Sequence, residues 1–267
     1  MPQLTNGAKA LLLANIAVFL LGLLAERTGF EIDKNLGLYY IKSEYFKPLQ
    51  FITYMFVHAG FMHLFFNMFA LVQFGSMIES VWGTKRFVFY YLVTGVGAGV
   101  IHIIVTHLQL MPFLDAVDAF FANPTPDALV ALGTSTPVFK DAAIMELADR
   151  WRTGFYTDEQ IIEAFEQQIP QAKAMLFNTP VVGASGAVFG LLLAFGLMFP
   201  NLKLQLLFIP IGIPAKYFVL LYGVAELFFG IKDFSGDNIA HFAHLGGMLV
   251  GFLLLMVWSR GNRQRYE

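Results

Sequence analysis

The chain has 267 residues, of which 57% are hydrophobic and 13% charged, with a formal net charge of −2 and a mean hydropathy of +0.62. A soluble domain carries about 25% charged residues, so the composition argues against one, and the charge leaves no electrostatic footprint for nucleic acid. Cysteine is absent, which removes disulfides, thiolate metal sites and cysteine nucleophiles together.

A helix needs about 20 apolar residues to cross a bilayer core about 30 Å thick. Runs of that kind occupy residues 8–25, 51–78, 87–105, 181–199, 215–229 and 239–258. The first lacks a small-x-small cleavage site and is followed by more apolar sequence, so it reads as a retained helix rather than a signal peptide. The start of the fifth is blurred by Pro210, Gly212 and Pro214, which break helices. Residues 204–213 therefore read as an interfacial or re-entrant stretch. The predicted fold is all-α: a polytopic membrane bundle of six transmembrane helices over residues 8–258, ending in a basic tail, 259–267.

Between the third and fourth spans lies an acidic stretch, residues 108–178, with turn signals at Asn123-Pro124-Thr125-Pro126. Thr157-Asp158-Glu159-Gln160 reads as a capping box opening a helix. Ile161, Ile162, Phe165 and Ile169 then form one apolar face. This stretch reads as a small extracytoplasmic helical insert; a lid or docking role has only its position in its favour.

Orientation follows from basic residues in short loops. With the N-terminus inside, Lys9, Lys85, Arg86, Lys203, Arg260, Arg263 and Arg265 are cytoplasmic, while Lys232 outside is balanced by Asp233 and Asp237. Arg27, Lys34, Lys42 and Lys47 in the first loop argue the other way. An even span count puts the basic tail on the side of Lys9, so both termini are expected in the cytoplasm.

Polar groups within spans cost free energy unless partnered, and so mark function by default. The second span has His63 and Asn67, at i and i+4 and hence on one face. The fourth opens with Gly183-Ala184-Ser185-Gly186, and the sixth holds Ala243-His244-Leu245-Gly246-Gly247. A serine hydroxyl needs a base, and histidine is suited to that near pH 7. An Asn amide, a His N–H or the free N–H groups at a helix start can serve a developing oxyanion. Gly247 and Gly251 form a small-xxx-small face that lets the fourth and sixth spans approach. Asp233 and Asp237 fall in the connection 231–238, so the set reads as a Ser–His dyad without an acid.

Taken singly, Ser185 is an ordinary small packing residue; the other motifs give it weight. His58 and His241 read as structural or hydrogen-bonding groups. The pair His241 and His244 lacks a third ligand or a carboxylate partner, so no metal site is expected. His102 and His107 read as interfacial, Glu79 and Arg86 as braces of a cytoplasmic turn, and Glu226 as a partner for a polar group in the first loop.

These residues resemble the rhomboid family. His63-Leu64-Phe65-Phe66-Asn67 is similar to its HxxxN, Gly183-Ala184-Ser185-Gly186 to its GxSG, and Ala243-His244 with Gly247 and Gly251 to its AHxxGxxxG. Glu79-Ser80-Val81-Trp82-Gly83, followed by Arg86-Phe87, is similar to the family's turn after span two. The resemblance implies an intramembrane serine endopeptidase that cuts transmembrane segments of other proteins, in a bacterial inner membrane and with no cofactor. It implies Ser185 and His244 as the dyad, and His63, Asn67 and the backbone N–H groups of Ala184 and Ser185 as the oxyanion hole. It implies span five and the connection 231–238 as gate and cap, and the first loop as an element lying in the membrane. Two positions depart from the pattern. Phe189 stands where members often carry a tyrosine stacked on the catalytic histidine, and the insert is long. The alternatives are an inactive relative that binds transmembrane clients, which such proteins achieve by losing the serine or histidine, and a transporter, which predicts repeat symmetry not found here.

Overall fold

The computed structural model describes residues 3–205, 212–232 and 240–263. Two compact units divide the chain. The first comprises Met1–Leu38, Lys47–His102 and Pro180–Glu267, the second Tyr39–Phe46 and Ile103–Thr179.

Among the described residues, four helices are long and apolar enough to cross a membrane: Asn6–Glu26, Phe61–Trp82, Thr84–Ala122 and His241–Ser259. The last of these belongs to a helix that continues to Arg263. Ser185–Met198 is a shorter apolar helix, and Ala215–Lys232 is the sixth member of the set. Large apolar side chains stay exposed along their outer faces, among them Leu13, Leu21, Leu220, Leu221 and Leu253. A surface of that kind requires a non-aqueous solvent. The protein is an all-α, multi-pass integral membrane protein.

Ser185–Met198 is the innermost helix of the first unit. Ten of its 14 residues are buried, Gly186 to Leu192 without interruption, as expected of a helix apolar all round. The Tyr90 hydroxyl donates to the Gly190 carbonyl at 2.9 Å and secures its middle. The N-terminus of Asn6–Glu26 is capped from a distance by Glu79. Its carboxylate accepts from the N–H groups of Gly7 (2.7 Å) and Ala8 (2.8 Å), and also from the hydroxyls of Thr5 and Thr84. An anion there satisfies orphan donors and complements the helix dipole. Arg86 lies over the rings of Trp82 and Trp258, so Glu79 and Arg86 both hold the turn at Gly83.

Span boundaries differ from the sequence reading at several points. The second apolar run is not one helix. Gln50–Thr53 and the 3₁₀ turn Tyr54–Phe56 precede an extended break at Val57, and the helix proper starts at Phe61, with a π turn at Leu71–Gly75. The third helix runs on to Ala122 through Pro112, past residue 105, where the apolar run ends. The fourth starts at Ser185 rather than 181, because Val181 pairs in both directions with Leu38 at 2.9 Å. Before the fifth helix, Lys203–Gln205 pairs antiparallel with Gly212–Pro214. Residues 206–211 of that stretch lie outside the described residues, as do Asp233, Asp237 and most of the connection 231–238, and Arg265 of the tail.

The second unit is a helical cluster with its own core. The end of Thr84–Ala122 and the helices Pro126–Thr134, Asp141–Arg152 and Asp158–Phe177 bury Phe113, Phe120, Leu132, Ile144, Trp151 and Phe165 together. The Trp151 indole N–H donates to Asp158 at 2.8 Å. Thr157 and Gln160 form the reciprocal capping box. Ile161, Phe165 and Ile169 are buried, whereas Ile162 is half-buried at the margin.

Candidate active site

Ser185 is the first residue of its helix, with Ala184 as the N-cap. The segment before it is pinned twice: Val181 pairs with Leu38, and the Gly183 N–H donates to the Tyr54 carbonyl at 2.9 Å. Gly183 has a φ of 126°, a conformation costly for any residue with a Cβ. A Cβ there would also stand 2.8 Å from His63 Nε2 and 3.7 Å from Ser185 Oγ. The missing side chain is therefore what lets the His63 ring lie beside the serine. Asn67, one turn later, donates from its amide to the His63 carbonyl at 2.9 Å and is buried. The second hydrogen of that amide is not used by this bond.

His244 lies on His241–Arg263 and reaches Ser185 Oγ with Nε2 at 2.8 Å. The approach depends on glycine. A Cβ on Gly247 would lie 1.9 Å from the Gly186 carbonyl oxygen, and one on Gly251 would lie 2.3 Å from the Tyr90 hydroxyl. Gly186 and Gly190 on one helix thus face Gly247 and Gly251 on the other, backbone against backbone. Phe189, one turn after the serine, stacks on His244 with ring centroids 4.1 Å apart and planes within 5°. One helix supplies both the hydroxyl and the plate on which its partner rests. Ser185 is half-buried, while His244 is buried.

The expectation that no acid meets the histidine is corrected. Glu226 Oε2 lies 2.9 Å from His244 Nδ1 and 2.7 Å from His241 Nδ1. The carboxylate thus serves two histidines of the sixth helix rather than a polar group of the first loop. The ground for setting aside a metal site falls with it, since Glu226, His241 and His244 bring donor atoms within 4.8 Å of one another. A signal was present in the sequence: a carboxylate in an apolar helix needs a partner. Two helices joined by a short connection pair residues at similar distances from it, which points from Glu226 to His241 and His244.

Of the other histidines, His107 accepts or donates at Nδ1 to the Tyr40 hydroxyl, 2.6 Å away. The His58 ring lies edge-on to His63 at 5.0 Å, and neither of its buried nitrogens has a hydrogen-bond partner among the described residues.

A model of the rhomboid domain matches residues 45–147 and 153–261. The chain belongs to the rhomboid family. A curated relative, the rhomboid-like protein 11, chloroplastic, of Arabidopsis thaliana, is 25% identical over 265 residues, covering 96% of this chain and 66% of its own length. The chain thus spans just under two thirds of that relative. Within this rhomboid-family chain, the serine, its histidine partner and the glycines between their helices all fall inside the second matched segment, and His63 and Asn67 inside the first.

Proposed function

We propose that this rhomboid-family protein is an intramembrane serine endopeptidase. The observation that carries the reading is the 2.8 Å contact between Ser185 Oγ and His244 Nε2. In the reaction, Oγ attacks the scissile carbonyl as His244 takes the hydroxyl proton. The carbonyl electrons move to its oxygen, where the His63 ring, the Asn67 amide and the backbone N–H groups of Ala184 and Ser185 are the candidate donors. His244 then protonates the leaving amine, and water hydrolyses the acyl-enzyme by the same steps in reverse order.

The substrate class follows from where the serine sits. A helix of 14 residues is roughly 21 Å long, shorter than the hydrocarbon core of about 30 Å. A helix this short leaves at least one end within the core, and with the serine at that end the substrates are transmembrane segments of other proteins or the residues next to them. Both termini are assigned to the cytoplasm, in a bacterial inner membrane.

The test is cleavage of a model transmembrane substrate by protein reconstituted in liposomes. Ser185→Ala and His244→Ala are each expected to lose at least about 10³-fold in kcat/KM. Cleavage at the wild-type rate by either variant rules out the dyad.

A further inference from the structure

We infer that Glu226 is a positioning residue for His244, so that the nucleophile is driven by a Glu226–His244–Ser185 relay with His241 as a second donor to the same carboxylate oxygen. The inference rests on the endopeptidase reading above and adds a member to its site.

The hydrogen bonds determine each other. An ionised carboxylate only accepts, so contacts of 2.7 Å and 2.9 Å at Oε2 place a proton on Nδ1 of both His241 and His244. With its proton on Nδ1, His244 presents a bare Nε2 to Ser185 Oγ, 2.8 Å away, and that atom can take the hydroxyl proton. The opposite tautomer would turn an N–H toward the hydroxyl and could not act as base. When the Oγ–H bond breaks, the proton goes to Nε2 and the oxygen lone pair forms the bond to the scissile carbon. His244 is then an imidazolium, and the buried Glu226 carboxylate faces its positive charge. The proton returns from Nε2 to the leaving amine, and Glu226 stays ionised throughout.

Three helices fix the arrangement. Glu226 comes from Ala215–Lys232, the two histidines from His241–Arg263, and the serine from Ser185–Met198. The carboxylate is buried, as are both histidines. A single unpaired anion there would be costly, so two N–H donors to one oxygen is the expected solution. His241 also restrains the carboxylate, which leaves Oε2 little freedom to turn from His244. The relay takes both histidines as N–H donors to Oε2, at 2.7 Å and 2.9 Å, rather than as ligands of an ion held by the same three residues.

The test uses the full-length protein in liposomes, with Glu226→Gln and Glu226→Asp. Glu226→Gln keeps the size and removes the charge. It is expected to lower kcat about 10²-fold with KM within about threefold of wild type. Glu226→Asp keeps the charge and is expected to regain at least about tenfold of that loss. A brace that only holds the helices would change thermal stability and KM without this split. Should Glu226→Gln fail to fold, kcat of the Asp variant decides instead: a value between about 3-fold and 10-fold below wild type is expected, and a wild-type kcat overturns the relay.

Labelling of Ser185 by a fluorophosphonate separates the relay from the choice of substrate. If labelling slows about 10²-fold in Glu226→Gln, the relay stands even where no transmembrane substrate is cut. Wild-type kcat and labelling rate in Glu226→Gln overturn it. A wild-type Ser185 that is never labelled overturns both the relay and the endopeptidase reading. Activity that a chelator removes and zinc restores overturns the relay in favour of an ion held by the same three residues.

Discussion

The imidazole of His244 is held on three sides: Ser185 at Nε2, Glu226 at Nδ1 and the Phe189 ring against its face. The stack is the contact the sequence left most open, because Phe189 lacks the hydroxyl often found at that position. A hydroxyl is not required to orient the ring once a carboxylate fixes Nδ1, and a flat face 4.1 Å away needs only carbon. The stack also brings Phe189 against Tyr222, with centroids 5.2 Å apart, on the helix that carries Glu226. Phe189→Tyr is therefore expected to keep kcat/KM within about threefold of wild type, since the plane of the ring is unchanged. Phe189→Ala removes the plate and opens a cavity beside the base, and a fall of about 10–100-fold is expected from the looser geometry. Steady-state kinetics on the transmembrane substrate check both. Equal activity of the Ala and Tyr variants would show that stacking does not position His244.

Among the helices, the contact between Ser185–Met198 and His241–Arg263 decides whether the serine and histidine meet. Small residues face each other there, at Gly186, Gly190, Gly247 and Gly251. Without a hydrophobic force between helices in lipid, close packing is what holds such a pair. A methyl group at position 247 would fall 1.9 Å from the Gly186 carbonyl oxygen, a backbone atom that cannot swing aside. Gly247→Ala must push the helices apart. It is expected to lower the thermal midpoint and to slow fluorophosphonate labelling of Ser185 more than about tenfold. Labelling at the wild-type rate would mean that the helices tolerate separation without loss of the site. Gly247 and Gly251, their approach to span four and Gly186 there were legible, but Gly190 was not, because nothing local marks it among the apolar residues of its helix.

For the whole molecule, the apolar exterior and the long apolar helices establish a multi-pass membrane protein, and the assignment of sides is a separate matter. The proposed orientation, read from basic residues, puts Lys9 and Lys85 in the cytoplasm and Asp149 outside it. The absence of cysteine makes this directly measurable with single reporters. In intact cells, Asp149→Cys is expected to react with a membrane-impermeant maleimide. Lys9→Cys and Lys85→Cys are expected to react only after permeabilisation. The reverse pattern would invert the topology and put the basic loops outside. The side chain of Asp149 is 72% exposed, so a failure to react would report the membrane side rather than burial.

Local chemistry explains why so much was readable along the chain. Apolar length marks membrane helices, because a bilayer admits no unpaired backbone. A capping box at Thr157 and Gln160 marks a helix start, because its donors and acceptors are neighbours in sequence. Ser185, His244, His63 and Asn67 stand out for the same reason: polar groups in apolar runs are rare because they are costly. The break at Val57 and the pairing of Val181 with Leu38 were hidden, since neither depends on a residue type that signals itself locally. Glu226 was visible as an anomaly but its partner was not. A carboxylate in lipid must find a donor, and which donor it finds depends on how two helices are placed against each other. Composition and spacing by themselves determined the membrane class, the family resemblance and the candidate pair of serine and histidine. Only the tertiary structure decided that the pair has an acid behind it, because that contact spans three helices and is set by packing rather than by sequence distance.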